Sequence, residues 1–189
     1  MNPIVKRLFL TGLALAALAA RGAADRGLAI TIETERGVLA KLETAYVFNI
    51  ARFVTWRPDD QEVRLCLPDE SPLLRYAQEL NGRDLGDGRR FVVAALDGSR
   101  TRCDIVFIHA AYKQAGRALP ADAATTLLVS DRPDALARGY VLQFFLQEDS
   151  VRFAANADVL GRAEYRISSK LLRLARPAPG PTSIDGKGN

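Results

Sequence analysis

Apolar residues recur at helical spacing in a stretch that begins at Leu39 and ends at Trp56. Steps of three and four positions separate them, which is the period of one face of an α-helix. The members of this face are Leu39, Leu42, Tyr46, Ile50 and Phe53. The pattern predicts a long helix over residues 37–56, ended by Pro58 because the residue before a proline is disfavoured in helical geometry. Phe48 falls on the opposite side, where it is either covered within the monomer or available to a partner.

Short apolar runs between turn residues predict strands in the middle of the chain. The runs cover residues 63–67, 91–96, 103–108 and 125–129. The run at 103–108 is apolar on both faces at its centre, which is typical of a parallel strand covered on two sides. Two longer runs, at 140–147 and 150–156, are separated by Glu148 and Asp149 only, so they predict an antiparallel hairpin.

The end of the chain predicts a second long helix and then a tail. Asn156 is a suitable cap for a helix from residue 157 to about residue 174. On that helix one stripe is basic, formed by Arg162, Arg166, Lys170 and Arg173. This stripe is either a solvated face or a surface for acidic groups of a partner or membrane. Residues 177–189 are rich in proline and glycine and are expected to be disordered.

The order of these elements predicts the fold class. Strands that alternate with helices are typical of a single three-layer α/β domain. We expect a mainly parallel sheet with a C-terminal antiparallel hairpin, and long helices at the N-terminal and C-terminal ends. The predicted domain covers residues 25–176.

The first 24 residues have the pattern of a secretory signal peptide. Lys6 and Arg7 precede an apolar run at 8–20, and small residues follow it. The alternatives are an uncleaved anchor or a buried first helix. Cleavage after Ala24 would remove three of the 26 basic residues and none of the 22 acidic ones, and cleavage after Ala19 is the other candidate. Because the mature charge is then close to neutral, the whole-chain pI of about 9.3 does not argue for nucleic-acid binding.

Export also affects how the two cysteines, Cys66 and Cys103, are interpreted. In an oxidising compartment a lone pair of cysteines usually forms a disulfide, and the alternative is two buried thiols. The chain contains one histidine, His109, directly after the strand at 103–108. Ligands bind at the carboxyl ends of parallel strands, so His109, Ser130 and Asp131 are candidate ligand contacts. The alternative for His109 is an ordinary surface histidine.

Several kinds of chemistry find no support in the sequence. A histidine without a second histidine nearby is not expected to form a metal site or an acid–base pair. No glycine-rich phosphate loop follows a strand, and no serine or cysteine has a catalytic setting. We therefore expect neither an enzyme nor a cofactor.

A set of short segments carries a family pattern. They are AYVFNIARFVTW at 45–56, LCL at 65–67, CDIVFI at 103–108, LLVSD at 127–131, Gly139, VRF at 151–153 with Asn156, and ISSKLLRLA at 167–175. In their order and spacing they resemble the YfiR family of small exported proteins. The resemblance implies a periplasmic protein that binds and represses the periplasmic part of a membrane-bound diguanylate cyclase, in cyclic-di-GMP signalling.

The resemblance also implies a disulfide between Cys66 and Cys103 and a tendency to form a homodimer. The candidate contacts with the cyclase or with a second copy are Phe48, Arg52 and the basic stripe. Family members commonly have an acidic and an aliphatic residue before the hairpin asparagine, where this chain has Ala154 and Ala155. This departure concerns partner specificity, and another membrane sensor is the alternative partner. The alternative function is a periplasmic small-ligand-binding accessory of another membrane receptor, which would use the strand ends near His109, Ser130 and Asp131.

Overall fold

The computed structural model describes residues 35–96, 102–112 and 121–179. The chain divides into two compact units, Met1–Leu39 and Ala40–Asn189. In the first unit the described residues, 35–39, are helical. In the second unit the helical residues 40–51 are named α1. The expected signal peptide, at residues 1–24, lies outside the described residues, as does the expected disordered tail from residue 180 onward.

The second unit contains a six-stranded sheet and a separate strand pair. After α1 the elements are β1 Val54–Thr55, β2 Glu62–Leu67, α2 Leu74–Gln78, β3 Arg90–Ala95, β4 Ile105–Ile108, β5 Leu127–Ser130, β6 Leu142–Gln147, β7 Ser150–Ala155, α3 Ala157–Leu160, β8 Arg166–Ile167 and α4 Ser169–Leu172. The strand order in the large sheet is β3-β2-β4-β5-β6-β7. All its pairs are parallel except β6 with β7. The predicted mixed α/β fold with a mainly parallel sheet and an antiparallel hairpin is confirmed.

The apolar strands lie where their composition predicts. Every residue of β4 and β5 is buried, as expected for central parallel strands with two covered faces. The hairpin turn is also as predicted, because Glu148 and Asp149 have φ angles of 50° and 56°. Positive φ at both central residues is the type I′ geometry that joins two twisted strands through two residues.

The first helix is shorter than its apolar pattern predicts. It ends at residue 51, and Val54 and Thr55 form β1, paired antiparallel with β8. These two residues are β-branched, so they favour extended backbone, and the pairing gives that backbone hydrogen-bond partners. The expectation of a continuous helix to residue 56 is wrong because a tertiary strand pair overrides helical spacing.

The buried face of α1 is also rotated relative to the predicted one. Its buried positions are Ala40, Glu43, Thr44, Val47, Ile50 and Ala51. Of the predicted face, Leu42 and Phe53 are 42% and 46% exposed. The small side chains at 40 and 51 allow the helix to approach the sheet closely on that side, which leaves larger apolar groups outside.

The prediction of one long C-terminal helix from residue 157 to about residue 174 is wrong. In its place lie α3, the strand β8 and α4. α3 ends at Gly161, a weak helix former, and Ser168 caps α4 by accepting a hydrogen bond from the backbone N–H of Lys170. Between them Tyr165 and Ile167 are buried while Arg166 is exposed, an alternation typical of a strand.

The two cysteines form the disulfide that the family resemblance implies. Cys66 lies in β2 and Cys103 just before β4, with a Cα–Cα distance of 5.7 Å and a sequence separation of 37. Because β2 and β4 are neighbours, the bond joins the edge half of the sheet to its centre.

We predict that the double variant Cys66→Ala, Cys103→Ala loses about 4 kcal/mol of unfolding free energy, since a loop of this length restricts the unfolded chain by about that amount in the chain-entropy model. Denaturant titration of the oxidised protein and of the variant measures the difference, with reduced wild-type protein as the control. A loss below about 1 kcal/mol in both samples would contradict the prediction.

Candidate functional site

A buried carboxyl group on α1 is the first component of the site. Glu43 is 2% exposed, on the face of α1 that otherwise packs through apolar and small residues. Its Oε2 atom has no hydrogen-bond partner in the described part of the chain. Burial disfavours the charged form, and the nearby carboxylate of Asp131 adds repulsion, so the pKa of Glu43 is raised to about 8.

The second component comes from the ends of two adjacent parallel strands. β4 and β5 are in register, with Ile108 opposite Ser130, so the residues that follow them emerge at the same edge of the sheet. There His109 Nε2 lies 3.2 Å from Asp131 Oδ2.

Backbone groups orient both side chains of this pair. Asp131 Oδ1 accepts a hydrogen bond of 2.6 Å from the N–H of Ala110, and His109 Nδ1 accepts one of 3.1 Å from the N–H of Ala111. Burial raises the pKa of Asp131, although the facing imidazole of His109 and the Ala110 N–H act in the opposite direction.

The three side chains converge. One ligand atom each from Glu43, His109 and Asp131 lies within 4.8 Å of the other two. We call this group the Glu43–His109–Asp131 cluster. A nitrogen and two carboxylate oxygens at this separation are groups that could hold a cation. The histidine is therefore half-buried and paired, not an isolated surface side chain.

Of the three predicted ligand contacts, the structure brings two together. Ser130 is fully buried, and its hydroxyl donates to the carbonyl of Ile108 at 2.6 Å and accepts from the N–H of Arg132 at 3.2 Å. Its role is therefore to tie β5 to β4. Sequence reasoning missed Glu43, although an acidic residue among the buried positions of α1 would have been a signal once the correct face was known.

The predicted partner contacts lie at several separate places. Phe48 is half-buried and packs edge-on against Phe91 of β3, with ring centroids 5.2 Å apart. Arg52 is exposed, and its Nε donates to the carbonyl of Leu85 at 3.0 Å. The four basic residues of the predicted stripe are all exposed, but they are distributed over the α3–β8 turn, β8 and α4 instead of one helix.

An apolar groove lies between the outer side of α1 and the hairpin. It has a volume of about 230 Å³ and is lined by Tyr46, Asn49, Ile50, Phe53, Val151, Arg152, Phe153, Leu171, Leu174 and Arg176. We call it the α1–β7 groove. Phe53 is 46% exposed and Leu174 is 60% exposed. The sequence pattern placed Phe53 on the core face of a helix, so the groove was not predicted.

The family comparison gives the chain a class. A YfiR/HmsC-like family model matches residues 40–176, which is well over half of the chain. The chain belongs to this family. The family is periplasmic, regulatory and non-catalytic, and membership suggests a regulator of diguanylate cyclase signalling. No curated protein matches the chain. Within the described residues, no helix is both long and apolar enough to cross a membrane.

The raised pKa of Glu43 predicts that stability falls as pH rises. The folded pKa of about 8 lies above the ordinary glutamate value of 4.5, so between these values the native state retains a proton that the unfolded state has lost. The unfolding free energy should fall over this window with a slope approaching about 1.4 kcal/mol per pH unit.

Denaturant titrations at several pH values from 5 to 8 measure this slope, and Glu43→Gln should flatten most of it. Some slope should persist, because the raised pKa of Asp131 acts in the same direction. Glu70→Gln, at an exposed position, is the matched control and should behave like the wild type. An unchanged slope in Glu43→Gln would show that Glu43 does not carry the effect.

Proposed function

We propose that this protein is a periplasmic repressor that binds the periplasmic part of a membrane-bound diguanylate cyclase. Binding would be stoichiometric, and cyclic-di-GMP synthesis would rise when the complex dissociates. Family membership supports the class of partner, because the family is associated with regulation of such cyclases. The proposal includes export by the N-terminal signal peptide.

The observation that carries the binding role is the α1–β7 groove. Single exposed apolar side chains are ordinary on protein surfaces, but here two large ones line one concavity. Phe53 lies in the turn between α1 and β1, and Leu174 follows α4, so the groove is lined by distant parts of the chain. An aromatic or aliphatic anchor of a partner could be desolvated in such a groove, as interface hot spots require.

Charged residues that line the same groove indicate the kind of partner segment that it would bind. Arg152 and Arg176 both line it, and no described residue forms an ion pair with either. Guanidinium groups beside an apolar groove favour a partner segment that combines apolar anchors with carboxylates. We therefore propose an amphipathic, acidic segment of the cyclase as the occupant.

The other predicted contacts are proposed to serve a second interface. Phe48, Arg52 and the exposed Arg162, Arg166, Lys170 and Arg173 do not line the groove. We propose that they contribute to a homodimer or to additional contacts with the cyclase. Because the ring of Phe48 already packs on Phe91, its contribution to an interface should be smaller than that of Phe53.

We predict that Phe53→Ser and Leu174→Ser each weaken cyclase binding by about 1–3 kcal/mol, because each removes an apolar anchor from the groove. Both side chains are substantially exposed, so the thermal stability of the protein should change little. Affinity for the purified periplasmic part of the cyclase, and the cellular cyclic-di-GMP level, are the measurements.

Leu146→Ser is the matched control, since Leu146 is 56% exposed but does not line the groove. It should leave affinity and repression unchanged. Full repression by both groove variants would refute the groove as the binding surface, and equal losses in all three variants would refute its specificity.

The second candidate function is a small-ligand-binding accessory of another membrane receptor. The convergence of His109 and Asp131 at the carboxyl ends of β4 and β5 favours it. A metabolite panel in a thermal-shift assay tests it, because a ligand that binds only the native state raises the melting temperature by mass action. A ligand at this site should lose its effect in His109→Ala, and no shift with any metabolite would count against this function.

A further inference from the structure

We propose that the Glu43–His109–Asp131 cluster binds a divalent first-row transition-metal ion, for which Zn²⁺ is the suitable probe. The ion would connect α1 to the carboxyl edge of the sheet. This role is independent of the α1–β7 groove and of any cyclase partner.

The first argument is the unpaired oxygen of Glu43. Glu43 is only 2% exposed, and its Oε2 atom has no hydrogen-bond partner among the described residues. Buried polar atoms are normally paired, so an exception needs a partner that is absent from the chain itself. A bound cation would satisfy this oxygen directly.

The second argument is geometric. Ligands about 2.1 Å from a tetrahedral ion lie about 3.4 Å from one another. The 3.2 Å separation of His109 Nε2 and Asp131 Oδ2 is already close to that value. A ligand atom of Glu43 lies within 4.8 Å of ligand atoms of the other two residues, so the three donors surround one small volume.

The third argument is charge. Neither Glu43 nor Asp131 forms an ion pair with an arginine or lysine in the described part of the chain, and the nearby Arg132 pairs with Asp134. On binding, a divalent ion would displace the proton of Glu43 and balance the charge of two carboxylates in a poorly solvated place, where unbalanced charge is costly. The exposed fractions of the His109 and Asp131 side chains, 22% and 13%, leave a path from solvent.

The donor set indicates the class of ion. Imidazole nitrogen suits zinc and other first-row transition metals, whereas Mg²⁺ and Ca²⁺ prefer sites made of oxygen atoms. The Ala110 N–H bonded to Asp131 Oδ1 provides the kind of outer hydrogen bond that orients a metal ligand.

The tautomer of His109 would have to change on binding. In the structure Nδ1 accepts from the Ala111 N–H, so a neutral ring has its proton on Nε2. When Nε2 binds an ion, the proton of the neutral ring is on Nδ1 instead. The Ala111 N–H would then donate its hydrogen bond to water, which the exposed position of Ala111 allows.

The test uses the protein without an affinity tag, treated with EDTA and then desalted. Isothermal titration with ZnCl₂ should show one ion per chain, and Zn²⁺ should raise the melting temperature more than Mg²⁺ or Ca²⁺ does. Because the chain has one histidine, the imidazole NMR signals report on His109 alone and should shift with Zn²⁺.

Glu43→Gln, His109→Ala and Asp131→Asn should each weaken Zn²⁺ binding by about 10- to 100-fold or more, and Glu70→Gln should not. If Glu43→Gln fails to fold, His109→Ala still tests the site, because His109 lies in a turn at the edge of the sheet. The proposal is overturned if Zn²⁺ does not bind, if the imidazole signals do not move, or if all three variants bind as well as the wild type.

Discussion

The pairing of β1 with β8 is the contact on which the arrangement of both ends of the domain depends. Val54 lies opposite Ile167, Thr55 lies opposite Arg166, and the N–H of Ser168 donates to the carbonyl of Phe53 at 2.8 Å. This short pair ends α1, interrupts the C-terminal segment and brings the residues around α4 beside the hairpin. Without it Phe53 and Leu174 would not face one another across a groove.

The two sides of α1 contribute to two different places, the Glu43–His109–Asp131 cluster and the α1–β7 groove. On its inner side, Glu43 lies near the carboxyl ends of β4 and β5, close to His109 and Asp131 at the edge of the sheet. Its outer side supplies Tyr46 and Asn49 to the α1–β7 groove, and Phe53 follows in the turn after the helix. Because one helix joins both places, the position of α1 against the sheet fixes Glu43 and the α1 side of the groove together.

The features that could be predicted are those governed by short-range patterns. Continuous apolar runs predicted β4 and β5 as buried parallel strands, and the two-residue separation at Glu148 and Asp149 predicted the hairpin. The family pattern predicted the disulfide between Cys66 and Cys103. In each case neighbouring residues, or a pattern of segments, contain enough information to define the outcome.

The features that could not be predicted depend on contacts between distant residues. The segment at 157–174 has helical spacing, but in the structure Tyr165 and Ile167 are buried, and Ile167 lies in the β1–β8 pair opposite Val54. α1 buries Ala40 and Ala51 while Leu42 stays exposed, a choice of face that depends on packing against other parts of the chain. The candidate site shows the same division. The sequence identified His109 and Asp131 as candidate ligand contacts because the end of a strand can be recognised from neighbouring residues. It did not identify Glu43, whose position depends on how α1 packs.

The sequence by itself thus determined the fold class, the parallel core strands and the hairpin, which follow from periodicity and local turn chemistry. It also indicated the family, through the resemblance carried by the order and spacing of short segments. Only the tertiary structure decided that Glu43 lies beside His109, which is 66 residues further along the chain. It also decided that the side chain of Phe53 is substantially exposed. The physical reason is that a helix can bury either of two adjacent faces with similar apolar content. Side-chain size and the fit against the sheet then select the face that packs most closely.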